Sequence, residues 1–334
     1  MNIAVLGAGG WGTTLSILLN NNGHRVTLWE YNKEYADTLK EYRENFYYLP
    51  KIKIPQRIII TDDIEFAVQD KLLILVTTPT QYIRNNLAPL GNFNFENKII
   101  VSAAKGIENG TLMFVSEIFT DMFGKIKREN IACLSGPSHA EEVSRKIPTA
   151  VVCACEKLNI AKIVQNVFSN KFFRVYSSSD LRGTEIGGAL KNVIAIAAGI
   201  TDGAGFGDNT KAALMTRGIN EIMNLGLKFN CRKETFFGLS GIGDLIVTCS
   251  SRYSRNRYVG EQIGTGLKLK TVLKEMKMVA EGVATSKSAY QLSLKNKLEM
   301  PIIEQVYEIL FRGKSPHRAV KSLMGRSLKK EHEA

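Results

Sequence analysis

The chain has 334 residues, 44% hydrophobic and 23% charged, with a formal net charge of +12. That length exceeds one small domain and predicts two. The composition is that of an ordinary soluble protein with a conventional core, and no run of about 18 apolar residues marks a transmembrane helix, so no stable membrane insertion is expected.

The N-terminus enters a strand at once, without the basic start and cleavage site of a signal peptide. Five scattered cysteines read as buried small side chains in a reducing cytoplasm, and a cytoplasmic location is expected. The histidines, at 24, 139, 317 and 332, lack zinc-ligand spacing, so no metal is expected. The positive charge reads as spread along the chain, with one short Lys329-Lys330 pair. Anionic substrates account for its sign without nucleic acid.

In the first half, short apolar runs alternate with helical stretches. Residues 3–6, 26–29, 58–60, 72–77, 99–102 and 131–134 predict strands of a parallel sheet covered on both faces. The runs 150–154 and 172–176 are expected to extend it, with the antiparallel sense left open. From about residue 180, long amphipathic stretches at 184–200, 208–228, 280–295 and 300–311 predict an all-helical second half. The expected fold is an α/β Rossmann-like dinucleotide-binding domain, 1–180, followed by an all-α substrate domain, 181–334.

Gly7, Gly9 and Gly12 form a G-x-G-x-x-G directly between the first strand and a helix at 13–22. Such glycines allow a tight turn, backbone approach to a pyrophosphate, and helix–strand packing. The helix N-terminus then offers free N–H groups to phosphate. Glu30 ends the second strand, where an acidic residue accepts from the adenosine ribose and favours NAD over NADP. Lys33 nearby could instead help a 2′-phosphate, so the cofactor is NAD or NADP with a lean towards NAD. Lys105 follows the fifth strand, at the crevice that a nicotinamide would reach.

Lys191 lies in an apolar helical run, 184–199, where burial would lower its pKa into a range useful for proton transfer. Gly187 and Gly188, on the same face, are expected to leave room for a ligand. The bland alternative is a lysine whose head snorkels to water. Asp244 stands between glycines and an apolar run, and Ser254 is positioned to cap a helix at 255–263 that carries Arg255 and Asn256. A lysine, an aspartate and an arginine-bearing cap together suggest a small phosphorylated substrate.

The chain resembles the bacterial soluble NAD(P)-dependent glycerol-3-phosphate dehydrogenases over residues 2–326. The resemblance rests on the segments 7–13, 104–106, 134–137, 188–193, 241–244, 254–257, 280–282 and 300–301. It implies oxidation of a glycerol C2 hydroxyl and reduction of dihydroxyacetone phosphate, with product for phospholipid synthesis. It implies Lys191 as proton acceptor and donor, with Lys105 and Asp244 polarising the reacting oxygen beside Asn192 and Thr248. Ser254, Arg255 and Asn256 would hold the phosphate, with Gly136 and Ser138 lining the pocket. Gly10, Trp11, Tyr31, Ala140, Val279 and Glu281 would join Gly7, Gly9, Gly12, Glu30, Lys105 and Arg255 at the cofactor.

Three sites, five residues in all, depart from the family pattern. Gly10 replaces a usual serine, Glu30-Tyr31 replaces small or basic residues, and Ser138-His139 replaces Thr-Phe. The three-carbon phosphate is the expected partner, and a homodimer is admitted. A hydroxy-acid dehydrogenase and a dinucleotide sensor without turnover remain the alternative readings.

Overall fold

A computed structural model describes residues 1–276, 278–328 and 330–331. Lys329 and His332, noted above, lie outside the described residues, as does the end of the expected second domain.

The strands are β1 (Asn2–Leu6), β2 (Arg25–Trp29), β3 (Glu44–Asn45), β4 (Leu49–Lys53), β5 (Ile59–Thr61), β6 (Leu73–Val76), β7 (Ile99–Ser102), β8 (Ile131–Ser135), β9 (Thr149–Cys155) and β10 (Phe173–Ser178). Eight of them form one sheet in the order β10-β9-β8-β7-β6-β1-β2-β5. From β5 to β8 neighbours run parallel; β9 is antiparallel to β8, and β10 runs parallel to β9. The two extra runs therefore do extend the sheet, in the reversed sense.

The parallel strands are apolar on both faces because each face is covered. Ile3, Val5, Leu73, Leu75 and Val101 pack on one side, and Ala4, Leu6, Ile74, Val76 and Ile100 on the other. The strand order reverses between β1 and β6, so the loops after these two strands diverge and open a crevice at their carboxyl ends.

After β10 the described residues form helices and no strand. The first helix of this part, Leu181–Gly203, is buried along nearly its whole length and forms the axis of a third apolar core. Asp180 caps it, accepting from the Gly183 N–H at 2.9 Å, and its other oxygen accepts from the Arg232 N–H and the Thr235 hydroxyl. Asp208–Lys228, Arg255–Gly264, Glu281–Lys295 and Pro301–Arg312 pack around this axis. Glu185, on the axial helix, accepts from both the Ser116 N–H and hydroxyl at 2.8 Å and ties the helical part to the sheet part. The architecture is a Rossmann-like domain followed by a helical domain.

Candidate active site

The first loop of the crevice is built by steric necessity. Gly7 has φ +114°, which L side chains rarely adopt. A Cβ at Gly12 would meet the Gly7 carbonyl oxygen at 1.9 Å, so only glycine lets the helix Gly10–Asn21 start this close to β1. Nothing lies within 4 Å of a Cβ at Gly9, whose backbone faces open space where a pyrophosphate would sit. These residues fit a dinucleotide.

Gly10 is glycine for a reason that the sequence did not reveal. A Cβ there would meet the backbone oxygen of Tyr48 at 2.5 Å. Tyr48 belongs to the hairpin β3–β4, which Asn45 fastens to the glycine loop by donating to the Ala8 carbonyl and the Thr13 hydroxyl, each at 2.7 Å. Sequence reasoning missed this hairpin, because β4 is mostly exposed and shows no apolar alternation.

A cleft of about 400 Å³ runs from the glycine loop to the axial helix. Gly7, Gly9, Gly10, Trp11, Gly12, Glu30, Tyr31, Ala140, Arg255, Val279 and Glu281 line it. Lys105, Ser138, Lys191, Asn192, Thr248, Ser254 and Asn256 line it as well. Tyr48, Thr77, Thr78, His139 and Tyr253 add to its walls. Burial raises the Glu30 carboxyl above its ordinary value, opposed by the N–H of Asn32, which donates to it at 3.0 Å. Glu281 accepts from the N–H and hydroxyl of Thr80, at 2.9 and 3.1 Å, and so clasps the two domains across the cleft.

At the inner end, Lys191 is 6% exposed and Asp244 is 1% exposed. Lys191 Nζ donates to Asp244 Oδ1 at 2.8 Å and to the Thr248 hydroxyl at 2.6 Å. Lys105 Nζ donates to Asp244 Oδ2 at 2.7 Å and to the Gly136 carbonyl at 3.1 Å. One carboxylate thus holds two ammonium groups, one on each oxygen. The lysine head does not snorkel to water.

Burial lowers Lys191 to about 8, with Asp244 opposing the fall and Lys105 adding to it. Asp244 stays below the usual carboxylate range despite its burial, because both lysines favour its charged form. Asp244 and Gly136 stand behind the lysines rather than on the cleft wall.

The expected space at Gly187 and Gly188 is taken by protein. A Cβ at Gly187 would meet the Ser240 carbonyl oxygen at 2.6 Å, and one at Gly188 would meet Ser135 Oγ at 2.9 Å and the Lys105 stem at 3.5 Å. The glycines admit the Asp244 loop and Lys105 to the axial helix, not a ligand.

A hydrogen-bonded chain links the remaining polar residues. Asn192 donates to the Lys105 carbonyl at 3.1 Å, Asn256 donates to Asn192 Oδ1 at 2.9 Å, and the Gly282 N–H donates to Asn256 Oδ1 at 2.9 Å. Ser254 caps Arg255–Gly264, accepting from the Arg257 N–H at 3.2 Å. The Arg255 guanidinium is exposed and donates to the Val279 carbonyl at 3.0 Å. His139 Nε2 is buried without a hydrogen-bond partner, and burial with the nearby Lys191 charge lowers this ring to about 4.

The five cysteines are buried and unpaired. Among the described residues no group of three His, Cys, Asp or Glu is placed to hold a metal ion, and no helix is long and apolar enough to cross a membrane.

Two family models match the chain. The N-terminal model of NAD-dependent glycerol-3-phosphate dehydrogenase covers residues 2–161, and the C-terminal model covers 180–321. The glycerol-3-phosphate dehydrogenase (NAD(P)+) of Syntrophotalea carbinolica is 48% identical over 331 residues, 99% of each chain. That of Fusobacterium nucleatum is 47% identical, over 99% of this chain and 98% of the relative. The crystal structure of the Coxiella burnetii glycerol-3-phosphate dehydrogenase superposes with a TM-score of 0.93 at 33% identity, over 97% of this chain and 99% of that one. A D-mandelate dehydrogenase, at 15% identity and TM-score 0.63, shares the fold alone. The chain belongs to the NAD-dependent glycerol-3-phosphate dehydrogenase family, oxidoreductases that act on a CH–OH group with NAD or NADP as acceptor.

Proposed function

We propose that the chain interconverts dihydroxyacetone phosphate and sn-glycerol 3-phosphate, with Lys191 as the group that gives or takes the proton at the C2 oxygen. The observation that carries this reading is the pair of lysine ammonium groups on one buried carboxylate, at the end of a cleft that begins on a dinucleotide loop. The nicotinamide, when bound, supplies or accepts the hydride at C2.

The chain's own residues do the rest. Lys191 and Lys105 present positive charge where alkoxide character develops on the substrate oxygen. Asp244 keeps both ammonium groups aimed into the cleft and is itself a positioning residue. Thr248 accepts from the Lys191 ammonium, and Asn192 donates to the main-chain carbonyl of Lys105. The capped helix start at Ser254, Arg255 and Asn256 holds the phosphate away from the reacting carbon, so its binding energy orients C2 without reacting. Gly136 lends its carbonyl to Lys105, and Ser138 stands beside it.

The cofactor would lie along Gly7, Gly9, Gly10, Trp11 and Gly12, pass Ala140, Val279 and Glu281, and end its adenosine near Glu30 and Tyr31. Glu30 favours NAD, because its carboxylate would repel a 2′-phosphate. Residues 1–180 would then be the cofactor domain and 181–334 the substrate domain. A homodimer working in the cytoplasm and feeding glycerophospholipid synthesis completes the reading.

Purified protein with NADH or NADPH tests it by absorbance at the nicotinamide band. Oxidation should depend on dihydroxyacetone phosphate. NADH binding without such oxidation would favour a sensor, and oxidation with a 2-oxo acid instead would favour a hydroxy-acid dehydrogenase.

A further inference from the structure

The positive charge reads as spread along the chain with a short Lys329-Lys330 pair, yet residues 309–330 as a whole contain no Asp or Glu and seven Lys or Arg. This short stretch carries seven of the chain's twelve net positive charges. Its helix, Pro316–Met324, turns Ala319 inward, rests Leu323 on the helical core and packs against Pro301–Arg312. His317, Arg318 and Lys321 face outward, with His317 edge-on to Phe206 at 5.0 Å. Arg312, Arg318 and Lys321 pair with no carboxylate among the described residues, whereas Arg326 is held by Glu299 at 2.7 Å. Beside these cations, Met324 is 81% exposed and Leu328 is fully exposed.

We propose that this C-terminal face, residues 311–328, docks on an anionic phospholipid surface. Unpaired cations match anionic headgroups, and the bare aliphatic side chains among them suit the boundary between headgroups and acyl chains. A second copy fits less well, because a self-complementary contact would set this basic face against itself. Nucleic acid also fits less well, because single-stranded binders offer stacking rings and this face offers aliphatic chains around one half-exposed Phe311. Docking would release the product where an acyl-transfer reaction on a membrane consumes it. Vesicle binding needs no turnover, so this inference and the catalytic reading fail independently.

The test is co-sedimentation of the full chain with vesicles of phosphatidylcholine alone and of phosphatidylcholine with phosphatidylglycerol. The protein should bind the anionic vesicles only, and less as salt rises. The Arg318→Glu/Lys321→Glu variant should bind about tenfold or more weakly, and Met324→Ser/Leu328→Ser should also weaken binding, with solution turnover unchanged in both. Equal partition to neutral and anionic vesicles, or wild-type binding by the charge-reversed variant, would overturn the proposal. So would duplex DNA binding with no vesicle binding, or a change of oligomeric state in the variants with no vesicle binding in the parent.

Discussion

Lys191 donates to Asp244 at 2.8 Å from the middle of a helix whose residues are buried from Gly183 to Thr201. The ammonium reaches the cleft without reaching bulk water, and its partner is shared with Lys105. On the proposed reading, reduction needs a protonated Lys191 and oxidation a neutral one. With Lys191 near 8, kcat/KM for ketone reduction should fall as pH rises through about 8, and kcat/KM for alcohol oxidation should rise over the same range. Asp244→Asn removes the charge that opposes the fall, so both limbs should move to lower pH. Unshifted pH profiles in that variant would separate Asp244 from Lys191.

Gly10→Ser restores the side chain usual in the family fingerprint, yet here it should weaken cofactor binding. Its Cβ collides with the Tyr48 carbonyl, and forcing the hairpin aside costs about 1–3 kcal/mol, or about five- to 150-fold in the NADH Kd. Fluorescence titration with NADH reads this directly, and tighter binding would refute the steric account.

On the proposed reading, Glu30 would set a preference for NAD over NADP. A carboxylate about 4 Å from a 2′-phosphate costs about 1 kcal/mol per charge pair in water, which is about fivefold. The chain should use NADH better than NADPH by at least that factor, and Glu30→Ala should narrow the gap. Parallel kcat/KM measurements with both cofactors check it.

Glu221 gives a stability prediction away from the cleft. It is buried, and it accepts the N–H groups of Ile302 and Ile303 at the start of Pro301–Arg312, at 2.7 and 3.2 Å. Burial raises it from 4.5 to about 8, so the folded state holds a proton that the unfolded chain loses. The folded form therefore binds more protons between pH 4.5 and about 8, and this group's contribution to stability is lost as pH rises through that window. Glu221→Gln should flatten that part of the denaturation midpoint against pH. An identical slope in both proteins would remove Glu221 as its cause.

Much of this molecule was legible in the sequence because its signals are local. The strands at 3–6, 26–29, 99–102 and 131–134 are two-sided apolar runs, and the structure keeps each within a residue or two. The helix 208–228 appears with the expected bounds. Lys191 stood out as a charge in an apolar helix. What was not legible depends on contacts across long separations. Asp244 meets Lys191 across 53 residues and Lys105 across 139, and no spacing rule encodes either distance. Gly187 and Gly188 read as ligand space in the sequence, which shows missing side chains but not that Ser240, Ser135 and Lys105 fill their place. The β3–β4 hairpin was invisible because its stability comes from Asn45 and the tyrosines around it, not from an apolar face.

The most direct measurement takes Lys191→Met, with NADH binding followed by fluorescence and turnover followed by absorbance with dihydroxyacetone phosphate. The account predicts binding close to that of the parent and turnover lower by about 10²–10⁴-fold, the range of a lost general acid–base group. Turnover near that of the parent would contradict it and remove Lys191 from the proton transfer.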